Sequence, residues 1–404
     1  MEISIIGQGY VGFPLSIQLA LEKNTVIGFD NNKFKISNLQ KGEVDIPGIN
    51  SSVLNKLLDE KRFIPTLDPN LISNSDVIIL AVPTPLNEFG NPDTSFLELA
   101  AKTVANYAKD KSLIINESTS YPGTLRNLIK PIFDKQSKNT FLFASAPERV
   151  DPANLNWDLK NTPRVIAGLS DEATDKAVSV YSSFCSQIHR ASSPEVAEAS
   201  KIFENTFRMV NIALVNEFAL IANKIGFSTQ EAISAASTKP FGFMPFYPSI
   251  GVGGHCIPVD PKYLSYLSKS VGANSDLIDL AHKINSEMPK KTAQRIMTEV
   301  GGDLSNKRIQ VAGIAYKPNV PDVRESPALE LIKELKSLGA SVSWHDPVVI
   351  ELNGEKSSIL ETDIDLGLIL TPHTTLDLTP WKLAKTRVID LSANGNNYGW
   401  PKLY

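Results

Sequence analysis

The apolar run Ile3 to Ile6 leads directly into Gly7-Gln8-Gly9-Tyr10-Val11-Gly12, and helical periodicity follows over 11–21. Alone, such a glycine pattern is also met as a glycine-tolerant turn in any α/β domain; set between a buried strand and a helix, it has the context of a dinucleotide cradle. Gly7 permits the tight turn, Gly9 lets a pyrophosphate approach the backbone, and Gly12 lets the helix pack close to the strand. Tyr10 and Val11 complete the turn at the helix N-terminus, which faces the negative charge. Asp30 closes a second apolar run over 25–29. A carboxylate there accepts from an adenosine ribose and repels a 2′-phosphate, so the expected cofactor is NAD rather than NADP. Lys33 has two readings, a contact to the cofactor's phosphate or ribose and a solvated surface lysine.

Further short apolar runs over 77–82, 113–116 and 141–144 alternate with helical stretches, which predicts a parallel sheet wound on both faces. Strands over 165–168 and 186–190, separated by a helix over 172–185, extend it. Ser192-Ser193-Pro194 then opens a helix over 195–225, too long for a crossover and suited to a subunit interface. A helix over 229–236 follows it, and the stretch 240–261 is a loop rich in glycine, proline and aromatics, long enough to suggest function. Helices over 262–271 and 276–300 lead to a second α/β pattern: strand 308–313, helix 328–338, and strands 341–344, 366–370 and 387–390. The expected architecture is α/β, with two Rossmann-like doubly wound parallel-sheet domains (1–190 and 301–404) joined by a central all-α region (191–300) that carries the long helix.

Forty basic residues against 44 acidic ones, without a long basic run, give no support to a nucleic-acid surface. No 18-residue apolar run is present and the N-terminus lacks a basic leader, so the expected location is the cytoplasm, away from membranes. Two cysteines, Cys185 and Cys256, exclude a disulfide framework and form no metal pattern.

Gly251-Val252-Gly253-Gly254-His255-Cys256-Ile257-Pro258-Val259-Asp260 sets a thiol after a flexible glycine run and a carboxylate four residues on. Gly254 and its neighbours allow substrate close to the backbone, whose N–H groups can stabilise an oxyanion, and a thiol there can act as nucleophile. A buried inert cysteine satisfies the residues alone equally well. Thr84, in Val82-Pro83-Thr84-Pro85, and Thr119, in Glu117-Ser118-Thr119, lie at the carboxyl ends of strands, where ligands bind in open α/β sheets. Their hydroxyls can hold cofactor or water, or cap the next turn.

Taken in order with Pro147-Glu148-Arg149, Lys201 and Asn205, Tyr316-Lys317-Pro318 and Asp322-Val323-Arg324-Glu325-Ser326-Pro327, these motifs resemble the UDP-glucose/GDP-mannose dehydrogenase family over nearly the whole chain. The resemblance implies a two-step oxidation of a UDP-sugar at C6 by NAD, for surface polysaccharide precursors, in a homodimer formed through the long helix. In it Cys256 holds a thiohemiacetal and then a thioester. Lys201 and Asn205, on one helix face, stabilise the oxyanion. Asp260 and Thr119 position the water that takes the alcohol proton, and Glu148 is the base for hydrolysis. Arg149, Phe246, Tyr247, Gly254 and Lys317 belong to the substrate side, with Lys317 reaching the diphosphate or sugar. Arg324 approaches the cofactor together with Thr84.

Two departures narrow the substrate. Pro152 stands where many UDP-glucose members carry a second glutamate, and Val259 where they carry lysine. The loop is closer to the branch acting on UDP-N-acetylhexosamines, and the aromatic lead-in over 241–247 points to UDP-N-acetylglucosamine, with UDP-N-acetylmannosamine beside it and UDP-glucose the alternative. A simple two-electron dehydrogenase and a non-catalytic NAD or nucleotide-sugar binder are the competing classes. His345-Asp346-Pro347 reads as a turn, and His189, His282 and His373 as isolated residues.

Overall fold

The computed structural model describes residues 1–44, 46, 49–150, 154, 156–393 and 398–404. Pro152 lies outside the described residues. The chain forms two compact units, Met1–Glu204 with Lys262–Ala273, and Asn205–Pro261 with Asn274–Tyr404. Among the described residues no helix is long and apolar enough to cross a membrane.

The first unit is built on an eight-stranded sheet: β1 (Glu2–Ile6), β2 (Thr25–Phe29), β3 (Phe63–Thr66), β4 (Val77–Leu80), β5 (Leu113–Asn116), β6 (Leu142–Ser145), β7 (Arg164–Gly168) and β8 (Ile188–Arg190). Their spatial order is β3-β2-β1-β4-β5-β6-β7-β8. The strands read as continuous apolar runs because both faces are covered. Val77, Ile79, Leu113 and Ile115 enter one core with Ile3, Phe13 and Val26, while Ile78, Leu80 and Ile114 enter another with Leu97, Val104 and Leu125. Each fully buried aliphatic side chain contributes about 1.5–3 kcal/mol of transfer free energy.

Four details depart from the sequence expectation. β7 runs antiparallel to β6. No helix occurs among the described residues between them, so the chain re-enters from the end it left, and a parallel pair would have needed a crossover. β3 escapes pattern reading because Pro65 interrupts its run, and proline confines such a strand to the sheet edge, where β3 lies. The helix expected over 172–185 ends at Tyr181, and β4 ends at Leu80; the Val82 amide instead binds the Ser118 hydroxyl at 2.9 Å.

The helix Pro194–Ile225 runs 32 residues, roughly 48 Å at 1.5 Å per residue. The chain passes between units within this helix and again within Asp260–Ser270.

The second unit has a parallel four-stranded sheet of β9 (Arg308–Ala312), β10 (Ser341–His345), β13 (Leu366–Ile369) and β14 (Val388–Asp390), in the order β10-β9-β13-β14, plus a hairpin of β11 (Glu351–Leu352) and β12 (Glu355–Lys356). The same period of two divides its cores: Ile309, Val311, Leu366 and Leu368 face Leu331 and Trp344, whereas Ala312 and Ile369 face Trp381.

Candidate active site

In the first unit β1 ends in the glycine turn. Gly7 has φ +95°, its N–H donates to the Phe29 carbonyl at 2.8 Å, and a Cβ on it would collide with the Ala81 carbonyl. A Cβ on Gly12 would collide with the Gly7 carbonyl, whereas one on Gly9 would meet nothing within 4 Å. Two glycines are thus set by packing, and Gly9 leaves open the space that a pyrophosphate needs. The residues fit the dinucleotide. The helix Gly12–Leu21 starts here with Val11 at its N-cap and Tyr10 half-buried ahead of it.

Asp30 Oδ2 accepts the Gln8 N–H at 2.8 Å and Oδ1 the Asn32 N–H at 2.9 Å. Lys35 Nζ, which pattern reading missed, lies 3.9 Å from Asp30, while Lys33 is exposed at the start of its helix.

Behind β5, Glu117 is buried and accepts from Arg164 Nη1 at 2.6 Å and Tyr181 OH at 2.5 Å. Ser118 binds the Val82 amide, and Thr119 is half-buried in the same segment. The Thr84 carbonyl accepts from the buried hydroxyl of Tyr263 at 3.0 Å. Glu148 is buried and accepts from the Val150 amide. Arg149 is engaged by Glu204 at 2.7 Å and 3.1 Å and by the Pro163 carbonyl at 2.7 Å. Lys201 is buried on the long helix. One turn earlier, Glu198 receives the amides of Gly123 and Leu125 at 2.7 Å and 2.9 Å, and burial pushes its carboxyl up to about 8 against their pull.

In the second unit Cys256 is a half-buried free thiol, and His255 Nδ1 lies 2.8 Å from its Sγ. Asp260, buried at the start of its helix, donates its N–H to the Cys256 carbonyl at 2.8 Å. Its Oδ2 accepts from Asn205 Nδ2 at 2.6 Å. Gly254 has φ +83°, and a Cβ there would sit 2.7 Å from the Tyr316 ring, so glycine is what allows the cysteine loop to lie against the Tyr316-Lys317-Pro318 segment. The Gly254 N–H donates to the Arg324 carbonyl at 3.2 Å. Arg324 pairs with Asp322 at 2.5–3.0 Å; burial opposes ionisation of Asp322, but the arginine outweighs it and holds the carboxyl below its usual range. Lys317 is half-buried, and Phe246 packs edge-on to Phe207 with centroids 6.0 Å apart, beside the half-buried Tyr247.

Cys185 is also a free thiol, buried and turned to the carbonyls of Thr162 and Gln187, a structural setting. Two histidine readings change. His373 is buried against Asp346 at 3.1 Å, so it is not isolated, and Asp346 is more than a turn residue: burial opposes its ionisation, but His373 and the amides of Val349 and Val348 bring its carboxyl to about 2. Spacing gave no sign of this, since the partners are far apart in the chain.

Comparison with known proteins covers all of these segments. Residues 1–185 match the UDP-glucose/GDP-mannose dehydrogenase family, NAD binding domain; 195–287 match its central domain; 310–393 match its UDP binding domain. Protein CapL from Staphylococcus aureus is 34% identical over 388 residues, covering 92% of this chain and 90% of that protein. The UDP-N-acetyl-D-glucosamine 6-dehydrogenase of Pseudomonas aeruginosa is 33% identical, covering 86% and 83%. The solved UDP-D-ManNAc dehydrogenase from Pyrococcus horikoshii superposes with a TM-score of 0.86 at 32% identity, covering 99% of this chain and 98% of that one. The chain belongs to the UDP-glucose/GDP-mannose dehydrogenase family.

Proposed function

We propose that the chain is an NAD-dependent UDP-sugar 6-dehydrogenase that oxidises the C6 hydroxymethyl of UDP-N-acetylglucosamine or UDP-N-acetylmannosamine to the carboxylate, with UDP-glucose the alternative substrate. The observation that carries this reading is the cysteine loop: a free thiol one residue from an imidazole, on a backbone packed against Tyr316, with Asp260 held by Asn205 four helical positions after Lys201.

Gly7, Gly9, Tyr10, Val11, Gly12 and Asp30 would hold NAD, which would supply the hydride acceptor for both oxidations. Asp260 and Thr119 hold the water that takes the alcohol proton, and Lys201 and Asn205 stabilise negative charge on the C6 oxygen. Cys256 adds to the aldehyde and keeps it covalently until the second oxidation yields a thioester. Glu148 activates the water that releases the acid. Lys317 receives the substrate's diphosphate, Arg149, Phe246, Tyr247 and Gly254 line the sugar's side, and Arg324, Thr84 and Lys33 serve the cofactor. Functional segments 1–190, 191–300 and 301–404 would then bind cofactor, carry the chemistry and bind UDP. The product would feed surface polysaccharide synthesis in the cytoplasm.

Phe203, Phe207, Leu214, Ile221 and Ile225 are exposed along the long helix, which supports a homodimer through it.

The test offers UDP-N-acetylglucosamine, UDP-N-acetylmannosamine and UDP-glucose separately and counts NADH against uronic acid. Two NADH per acid from one of them is expected. One NADH per product would indicate a simple dehydrogenase, and none from any sugar would leave a binding protein.

A further inference from the structure

The two sheets carry the same turn. After β1, Gly7 donates to Phe29, a Cβ on Gly7 would strike the Ala81 carbonyl, and the Gln8 amide donates to Asp30 at 2.8 Å. After β9, Gly313 (φ +87°) donates to His345 at 2.8 Å, a Cβ would strike the Thr371 carbonyl, and the Ile314 amide donates to Asp346 at 2.7 Å. The registers agree, Ile6 beside Phe29 and Ala312 beside His345. Asp346 therefore stands in the second sheet where Asp30 stands in the first.

Their remaining contacts differ. The side chain of Asp30 keeps 12% exposure, which leaves room for a ribose. That of Asp346 has none: Oδ1 takes the amides of Val348 and Val349 at 2.9 Å, and Oδ2 also takes the Ala315 amide and His373 Nε2, each at 3.1 Å. His373 Nδ1 accepts the Asn319 amide at 2.8 Å, so the proton resides on Nε2 and is donated to Asp346. Asn319, at φ +65°, accepts from the Thr374 amide and hydroxyl at 2.9 Å and 3.0 Å, and Thr371 Oγ1 donates to the Ala315 carbonyl at 2.6 Å. Residues 314–319 are thus tied at both ends, with Lys317 in the short span between the ties.

We infer that Asp346 and His373 are positioning residues for the nucleotide-sugar: the imidazole takes the place at the carboxylate that a ribose takes in a dinucleotide site, and the pair fixes the Lys317 loop in the shape that receives a diphosphate. The same contact closes this turn to a second dinucleotide. The inference rests on the proposed role of Lys317.

The experiment measures UDP binding by calorimetry on the full chain, and KM for the UDP-sugar and for NAD, in wild type, His373→Ala, His373→Asn and His373→Gln. Losing the shape of a charge-assisted phosphate contact weakens binding by at least about tenfold. That increase is expected in the UDP Kd and UDP-sugar KM of His373→Ala, with NAD KM within about twofold. Asparagine can place an acceptor near the position of Nδ1 and keep the Asn319 tie, so His373→Asn recovers affinity. Glutamine reaches Asp346 instead and does not. Recovery by glutamine rather than asparagine, unchanged UDP affinity, or an equal rise in NAD KM overturns the inference. If His373→Ala does not fold, the asparagine and glutamine variants still decide. Wild type that fails to bind UDP would instead refute the functional reading itself, and is recognised without any variant.

Discussion

His255 Nδ1 lies 2.8 Å from the Sγ of Cys256, the next residue in the chain. An imidazole in that position can take the thiol proton and stabilise the thiolate, the reactive form. His255→Gln should therefore slow iodoacetamide alkylation of Cys256 at neutral pH by about tenfold and move its pH profile upward. Cys185, buried against two carbonyls, serves as the internal control in the same mass-spectrometric measurement. An unchanged Cys256 rate in the variant would mean the contact does not activate the thiol.

Asn205 and Asp260 join the long helix to the helix that follows the cysteine loop through a bond of 2.6 Å. Asp260 is buried, so Asn205→Ala deprives a carboxylate of a donor and should cost about 1–3 kcal/mol in urea unfolding. Asn205→Asp is more telling, because it sets two carboxylates against each other and one must hold a proton. That variant should be less destabilised at pH 5 than at pH 8. Equal loss at both would show that the two side chains separate on substitution.

The cofactor turn was legible in the sequence because its signals lie close together in the chain: strand, glycine turn, helix and Asp30 follow one another within 30 residues, even though the space around Gly7 is closed by the distant Ala81 carbonyl. The same holds for the strands that carry apolar residues on both faces. Legibility stopped where geometry depends on distant partners. Asp346 and His373 are 27 positions apart, and nothing in either neighbourhood marks them as a pair. β3 was hidden by Pro65, and the antiparallel entry of β7 depends on a connection whose path no periodicity records. Lys35 rather than Lys33 approaches Asp30 because the helix Lys33–Gln40 begins at Lys33, which sequence alone did not locate.

Glu117 accepts from Arg164 and Tyr181 on one oxygen, and Arg164 also stacks over the Tyr181 ring at 4.9 Å. The Glu117 and Arg164 side chains are at most 2% exposed. Glu117→Gln leaves the guanidinium charge buried without its counter-ion, which should cost about 3–5 kcal/mol. Tyr181→Phe removes a single donor and should cost about 1–2 kcal/mol. Chemical denaturation of both variants gives the comparison. Similar losses from the two would mean the cluster is held by packing rather than by the ion pair.

Glu198 couples the long helix to the segment after Thr119 through the amides of Gly123 and Leu125, and burial raises its carboxyl to about 8. In the unfolded chain the group titrates near 4.5. Between these values the native state holds a proton that the unfolded state has released. The stabilisation is therefore complete below about pH 4.5, declines as pH rises, and is lost once pH passes about 8. From pH 6 to pH 9 the unfolding free energy should fall by roughly 2–3 kcal/mol on account of this residue. Glu198→Gln stays neutral throughout and keeps one amide acceptor, so its urea midpoint should be nearly flat over that range where the wild type's declines. A variant with the wild-type slope would assign the pH dependence to other groups and would mean that Glu198 is ionised in the native state, drawn down by the two amides that it caps.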